Sequence, residues 1–104
     1  MALIIDDGNF EEIVLKTELP VMLDVYTEWC GPCRAIAPYV EQIAAEYEGK
    51  ALIGKVDAEK APELAEKYEI RTVPTFLFFK NGELVDKQTG AVKGALTGKL
   101  NVLL

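Results

Sequence analysis

Both cysteines of the chain lie in one short segment, Trp29-Cys30-Gly31-Pro32-Cys33, at the junction between an apolar strand pattern and a long amphipathic helix pattern. A thiolate at the start of a helix faces several unpaired backbone N–H groups and the positive end of the helix dipole, so its ionised form is favoured. A cysteine three residues later lies on the same helix face. The two sulfurs can therefore form and reopen a disulfide without moving the rest of the fold.

A structural disulfide and a metal site are the alternative interpretations of this cysteine pair. In the loop-entropy model a four-residue loop contributes about 2 kcal/mol, against roughly 4.7 kcal/mol for a loop of a hundred residues, so this bridge is a weak cross-link. Structural zinc takes four Cys or His ligands, whereas the chain has two cysteines and no histidine. Only a dimer that shares two cysteine pairs could hold such a metal. The pattern favours a redox-active pair with no metal.

Length and charge narrow the class of protein. A chain of 104 residues predicts a single domain spanning residues 1–104, large enough to bury one core without cross-links. Seventeen acidic residues against eleven basic ones give a net charge of −6, and no basic cluster appears, which argues against nucleic-acid binding. The first residues lack the basic region of a signal peptide, and no segment reaches the ~20 apolar residues of a membrane span. We expect a cytoplasmic protein that does not contact a membrane.

Apolar runs and turn signals predict five strands. They are Ala2–Ile5, Val21–Tyr26, Ala51–Val56, Thr75–Lys80 and Glu83–Thr89. The second is almost continuously apolar, as expected for a strand that is buried on both faces of a parallel sheet, and only Asp24 interrupts it. Asn81-Gly82 is a preferred two-residue hairpin turn, so the last two strands are expected to pair antiparallel.

Helical spacing of apolar residues predicts four helices. The first begins with Asn9 as N-cap and has Glu12 in the capping-box position. The others are Pro32–Tyr47, Pro62–Tyr68 and a C-terminal helix that carries Leu96, Leu100 and Leu103. Pro38 is expected to kink the second of them. The order of elements predicts an α/β protein with a central mixed sheet of about five strands and helices on both faces.

The chain resembles the thioredoxin family over essentially its whole length. The matching segments are Trp29 to Cys33, Asp24 six residues before Cys30, Val73-Pro74-Thr75, Lys80-Asn81-Gly82-Glu83 and Gly90-Ala91. The resemblance implies the thioredoxin fold, with Pro74 as a cis-proline that faces the disulfide and presents a backbone edge to substrate main chain. Tyr26-Thr27 and the glycine-containing, acid-poor last helix depart from the usual pattern. We expect these departures to affect reductase docking or stability rather than the chemistry.

Together, the resemblance and the residues predict a mechanism of disulfide exchange. Cys30, at the free end of the helix, is the expected nucleophile, and Cys33, one turn deeper, is the expected resolving cysteine. Because the chain has no histidine, Asp24 is the simplest base for Cys33, and burial between apolar residues should raise the pKa of its carboxyl toward neutrality. Lys55 resembles the family's lysine near that aspartate. An exposed lysine that keeps its ammonium in solvent is the alternative.

The expected substrate-binding surface is small and largely apolar. It comprises Trp29, Gly31, Pro32, Val73, Pro74, Gly90 and Ala91. The Gly-Pro dipeptide between the cysteines carries no positive charge to stabilise the thiolate, which favours a reducing couple and hence reduction of protein disulfides.

Partners follow from the resemblance. It implies a separate thioredoxin reductase as electron donor and disulfide-containing proteins as substrates. The chain has no Gly-rich dinucleotide fingerprint, so we expect it to bind no flavin or nicotinamide cofactor itself. We also expect a monomer. The alternative function is that of a thioredoxin-fold binding or chaperone subunit whose partners do not need the thiols.

Overall fold

The computed structural model describes residues 1–104 and contains five strands, three α-helices and one short π-helical turn. The strands are β1 (Leu3–Ile4), β2 (Val21–Tyr26), β3 (Leu52–Asp57), β4 (Thr75–Lys80) and β5 (Glu83–Thr89). The helices are α1 (Gly31–Glu46), α2 (Pro62–Lys67) and α3 (Lys93–Leu103), and the π-helical turn spans Glu11–Leu15. All five predicted strands are present, with ends that differ by at most one residue.

The strands form one mixed sheet in the order β1-β3-β2-β4-β5. Strand β2 lies at its centre, parallel to β3 and antiparallel to β4. Strands β4 and β5 are joined through Asn81-Gly82 and pair antiparallel. Both turn residues have positive φ, 52° and 80°, as the hairpin turn expected of this dipeptide requires. The predicted mixed α/β sheet of five strands is confirmed.

Two apolar cores cover the two faces of the sheet, because alternate side chains of each strand point to opposite sides. One core joins the sheet to α1 and α3. Its main members are Met22, Ile36, Val40, Ile43, Phe76, Phe78, Leu96 and Leu100. The other joins the sheet to α2 and the π-helical turn. Its main members are Ile5, Phe10, Val14, Leu23, Val25, Leu64, Leu77 and Phe79. Helices on both faces are therefore confirmed.

The predicted capping box at the first helix is wrong. Asn9 does not cap a helix: its side-chain oxygen accepts from the Asp6 backbone N–H at 2.8 Å, and the Asp6 carboxylate accepts from the Asn9 N–H at 3.0 Å. These reciprocal bonds close a tight turn after β1, since short polar side chains compete for nearby backbone groups. Glu12 instead pairs with Lys16 at 2.9 Å on the exposed side of the π-helical turn.

A carboxylate from the N-terminal loop caps α2 from a distance in sequence. Asp7 accepts from the backbone N–H groups of Glu63 at 3.1 Å and of Leu64 at 3.0 Å, although 56 and 57 residues separate them. Both donors belong to the first turn of α2, where backbone N–H groups have no partner within the helix. Asp7 therefore anchors the loop after β1 to the start of α2.

Removing this cap should destabilise the fold. We expect Asp7→Ala to lower the free energy of unfolding by about 1 kcal/mol, the usual cost of losing a helix cap. Urea denaturation monitored by circular dichroism measures the change. Glu11→Ala, which removes an exposed carboxylate without a side-chain hydrogen bond, is the matched control and should leave the midpoint unchanged. Equal midpoints for the two variants would contradict the capping role.

Candidate functional site

Cys30 and Cys33 form a disulfide at the start of α1. Cys30 is the N-cap residue in an extended conformation, and its sulfur accepts from the Cys33 backbone N–H at 3.1 Å. Pro32, in the first turn, supplies no N–H where none is needed. Cys30 is half-buried, whereas Cys33 is only 3% exposed. Cys30 is therefore accessible to solvent, whereas Cys33 is enclosed by the protein.

The start of α1 favours negative charge on Cys30 Sγ. No acidic residue lies in the first turn of the helix, and the positive end of the helix dipole favours negative charge at this position. The Cys33 N–H already points at this sulfur. When the disulfide is reduced, these groups stabilise a thiolate at Cys30, which is the nucleophilic form of cysteine.

A loop from the other end of the chain faces the disulfide. The Val73–Pro74 peptide bond is cis, and the Val73 carbonyl oxygen lies 3.6 Å from Cys30 Sγ. Gly90 donates its backbone N–H to the Pro74 carbonyl at 2.9 Å and has φ 87°, a conformation that suits glycine. The structure thus brings the Val73-Pro74 and Gly90-Ala91 segments together beside the cysteines.

The surface around Cys30 is apolar and open. Trp29 is 82% exposed, so it is not a core residue. Gly31, Pro32 and Ala91 are exposed, Val73 and Gly90 are half-buried, and Pro74 is buried. Val92 is also exposed and directly follows Ala91, so it extends this surface. Val92 was not among the residues predicted for this surface, although an apolar residue next to Gly90-Ala91 was a usable signal.

Asp24 lies in β2, at the centre of the sheet. Its side chain is 3% exposed, and Oδ1 has no hydrogen-bond partner. Burial raises the pKa of Asp24 from 3.8 to about 7, the positive charge of Lys55 opposes this rise, and the negative charge of Glu41 adds to it. A carboxyl group in this environment can hold or release a proton near neutral pH.

Asp24 and Cys33 share an open recess of about 300 Å³ between β2, β3 and α1. Its lining consists of Asp24, Tyr26, Thr27, Glu28, Cys33, Arg34, Ala37 and Lys55. This volume is sufficient for several water molecules, each of which occupies about 30 Å³ in the liquid. The two residues therefore border one space that is large enough to hold water.

Lys55 is placed beside Asp24 by the register of the sheet. The two residues are directly opposite on the parallel strands β2 and β3, so their side chains leave the same face. Lys55 is half-buried, and its Nζ lies 3.7 Å from Glu41 Oε2. It is therefore neither fully exposed nor paired directly with Asp24. Glu41 was not among the predicted site residues, although its position eight residues after Cys33 puts both on one face of α1.

The sheet order, the helix that begins at the disulfide and the cis-proline loop beside it define a thioredoxin-type α/β fold. The family model "Thioredoxin" matches residues 1–101. The chain is 46% identical to a thioredoxin of Synechocystis sp. over 85% of this chain and 82% of that protein. It is 44% identical to a thioredoxin of Rickettsia bellii over 86% of each. The chain belongs to the thioredoxin family.

Relatives of greater length also match. The chain is 45% identical to "Thioredoxin M-type, chloroplastic" of Spinacia oleracea over 96% of its own length. It spans 56% of that protein, and 57% of the protein of the same name from Pisum sativum. The chain thus spans just over half the length of these two relatives.

Proposed function

We propose that this protein is a thiol–disulfide oxidoreductase that reduces disulfides in other proteins. The observation that carries this proposal is the Cys30–Cys33 disulfide at the start of α1, with one half-buried and one enclosed cysteine next to an open apolar surface. Membership in the thioredoxin family supports the same activity. A pair that opens and closes on one helix turn suits repeated exchange better than it suits cross-linking.

The proposed reaction has two exchanges. In the reduced protein the Cys30 thiolate attacks one sulfur of a substrate disulfide, which breaks the substrate S–S bond and releases one substrate thiolate that takes up a proton. Cys33 then loses its proton and attacks Cys30 Sγ, which breaks the mixed disulfide and releases the second substrate thiolate. Two electrons pass from the dithiol to the substrate, and the Cys30–Cys33 disulfide is formed.

Asp24 is the proposed acceptor of the Cys33 proton. Its carboxyl borders the same recess as Cys33, and with a pKa of about 7 a substantial fraction is ionised at neutral pH and able to accept a proton. We propose that Lys55 moderates the proton affinity of Asp24, since its positive charge favours the ionised carboxylate. Of the two carboxylates that line this recess, Asp24 is buried and Glu28 is exposed.

The proposed substrate-binding surface consists of the exposed residues and the backbone edge around Cys30. Its members are Trp29, Gly31, Pro32, Val73, Pro74, Gly90, Ala91 and Val92. The Val73 carbonyl, 3.6 Å from Cys30 Sγ, supports pairing of extended substrate main chain along this edge. Flat apolar contacts with few charged groups suit many different substrates.

Trp29 should contribute to binding rather than to folding. We expect Trp29→Ala to raise KM for a protein disulfide about tenfold, equivalent to about 1.4 kcal/mol, with a smaller effect on kcat. The unfolding midpoint should not change, because the side chain is mostly solvent-exposed. Val102→Ala, which truncates an exposed apolar side chain at the end of α3, is the control and should alter neither quantity. An unchanged KM in Trp29→Ala would remove this residue from the surface.

Electrons are proposed to come from a separate thioredoxin reductase, with no flavin or nicotinamide bound by this chain. An assay coupled to a purified reductase and an absorbance spectrum of the isolated protein test these two statements. A monomer and a cytoplasmic location stay predictions, which size-exclusion chromatography and cell fractionation address. Among the helices there is none with both the length and the apolar character to cross a membrane.

Reduction of a test protein disulfide by the dithiol form is the decisive assay. We expect the reduced protein to react far faster than an equal concentration of a small dithiol, and Cys30→Ser to be inactive. A redox titration of the cysteine pair should give a reducing potential. Failure of the parent to outpace the small dithiol would overturn the proposal. Full biological activity of a double Cys→Ser variant would indicate a binding or chaperone subunit, and bound metal in freshly purified protein would indicate a thiolate site shared by two copies.

A further inference from the structure

We propose that Glu41 is a positioning residue for the resolving step, because its carboxylate holds the Lys55 ammonium and thereby controls the charge that Asp24 faces. The inference rests on the proposed role of Asp24 as proton acceptor. In this proposal Glu41, on α1, is a third charged group of the site, and it affects the reaction without contact to substrate or sulfur.

Glu41 is anchored at both carboxylate oxygens. Oε1 accepts the backbone N–H of Ala2 at 2.8 Å, and Oε2 lies 3.7 Å from Lys55 Nζ. Glu41 is half-buried on α1, about two helical turns after Cys33 and on the same helix face. A side chain tied both to the backbone next to β1 and to a lysine of β3 has a defined position, unlike a free surface glutamate.

Lys55 lies between two carboxylates and pairs with one of them. It borders the recess with Asp24, its neighbour across β2 and β3, but its ion pair is with Glu41. Asp24 Oδ1 has no hydrogen-bond partner. Glu41 therefore acts on Asp24 in two ways of the same sign: its own negative charge opposes ionisation of Asp24, and its ion pair draws positive charge away from Asp24.

The remaining charged and titratable groups around Asp24 come from three parts of the structure. Cys33 and Arg34 lie on α1, and Tyr26 and Glu28 lie on or just after β2. Asp57, at the end of β3, acts on Tyr26 rather than on Asp24. The neighbour on β4, Phe76, carries no charge. All of these groups stay in place in the experiment below, so a change in Asp24 reports on Glu41 and Lys55.

Glu41→Gln removes the charge and keeps an oxygen that can accept from Ala2. We expect the pKa of Asp24 to fall. The midpoint of the pH profile for release of the mixed disulfide should move by roughly 0.5 pH units toward acid, because Glu41 is partly exposed and solvent weakens its effect on Asp24. Lys55→Met, which keeps an apolar stem, should move both in the opposite direction. In the Lys55→Met background the effect of Glu41→Gln should be smaller, since part of it acts through the lysine.

Two measurements on the full chain separate the possible results. The first is an NMR titration of the Asp24 carboxyl carbon in the reduced protein, and the second is single-turnover release of the mixed disulfide as a function of pH. Glu46→Gln, on the same helix but hydrogen-bonded only to Gln42, is the matched control and should change neither. Parallel acid shifts of the titration and the rate profile in Glu41→Gln support the proposal.

Failure of the role of Glu41 and failure of the role of Asp24 give different results. An unchanged Asp24 titration in Glu41→Gln overturns the positioning role, while slow release in Asp24→Asn would still uphold Asp24 as proton acceptor. A shifted titration with an unchanged rate profile, together with normal release in Asp24→Asn, overturns the proton-acceptor role and the positioning role with it. If loss of the Ala2 contact unfolds Glu41→Gln, an unchanged titration in Lys55→Met overturns the proposal independently.

Discussion

Cys33→Ser is expected to stop the reaction at the covalent intermediate. Cys30 can still attack a substrate disulfide, but no second thiolate is held next to the mixed disulfide to release it. Multiple-turnover reduction should fall by about a hundredfold or more, because an intramolecular nucleophile carries a very high effective concentration. Mass spectrometry of the non-reduced protein should show an adduct joined through Cys30, which a small thiol reverses.

Two variants test the division of roles between the cysteines. Cys30→Ser should give neither an adduct nor activity, since Cys33 is 3% exposed and cannot reach a substrate. Ala35→Ser places a serine on an exposed position of the same helix and should behave as the parent. If Cys33→Ser reduces substrate as fast as the parent and no adduct is captured, the assignment of nucleophile and resolving cysteine is wrong.

Asp24→Asn should stabilise the protein at neutral pH. The pKa of Asp24 is raised from 3.8 to about 7 by burial, so the folded state binds more protons than the unfolded state between these two values. The contribution of Asp24 to the free energy of unfolding is therefore fully present below about pH 4, and it is lost as the pH rises toward 7. Since a tenfold change in proton affinity corresponds to about 1.4 kcal/mol, the loss amounts to about 4 kcal/mol.

Asparagine stays neutral and avoids this loss. Urea denaturation at several pH values should show nearly equal stability for parent and Asp24→Asn at pH 4, and a variant more stable by about 2 to 4 kcal/mol at pH 8. Release of the mixed disulfide should slow by roughly a hundredfold, the lower range for loss of a general base.

Asp86→Asn is the control for the stability measurement. The hydrogen bond from Lys99, at 3.0 Å, lowers the pKa of Asp86, so its contribution to stability has the opposite dependence on pH. Replacing it should not stabilise the protein at pH 8. Equal stability of Asp24→Asn and the parent at pH 8 would contradict the cost of ionising a buried carboxylate.

The elements that carry the site were predictable because each depends on near neighbours in sequence. The apolar run of β2 predicted a buried strand, and Asp24 is buried within it as expected. The junction at Trp29 to Cys33 predicted a helix start, and α1 begins at Gly31. The hairpin dipeptide Asn81-Gly82 likewise encodes its own turn. In all three cases the local pattern and the final packing agree.

The N-terminal segment was not predictable in the same way. A capping-box pattern at Asn9 has a local competitor, the turn that it forms with Asp6, and the turn is what the structure contains. Asp7, which directly follows Asp6 in the sequence, caps α2. A local sequence pattern does not show whether a polar side chain will bind a near or a distant hydrogen-bond partner, because the distant partner comes into contact only when the chain has folded.

The sequence by itself determined which atoms can react: two thiols at a helix start, a carboxylate within an apolar strand, and no histidine to serve as an alternative base. Only the tertiary structure decided what surrounds them. The register of two parallel strands places Lys55 beside Asp24, and a helix packed against those strands places Glu41 beside Lys55. The Val73 carbonyl lies next to Cys30, although 43 residues separate them in sequence. Reactivity is a property of residue type and local backbone, whereas proton affinity and access depend on burial and on charges that folding brings together.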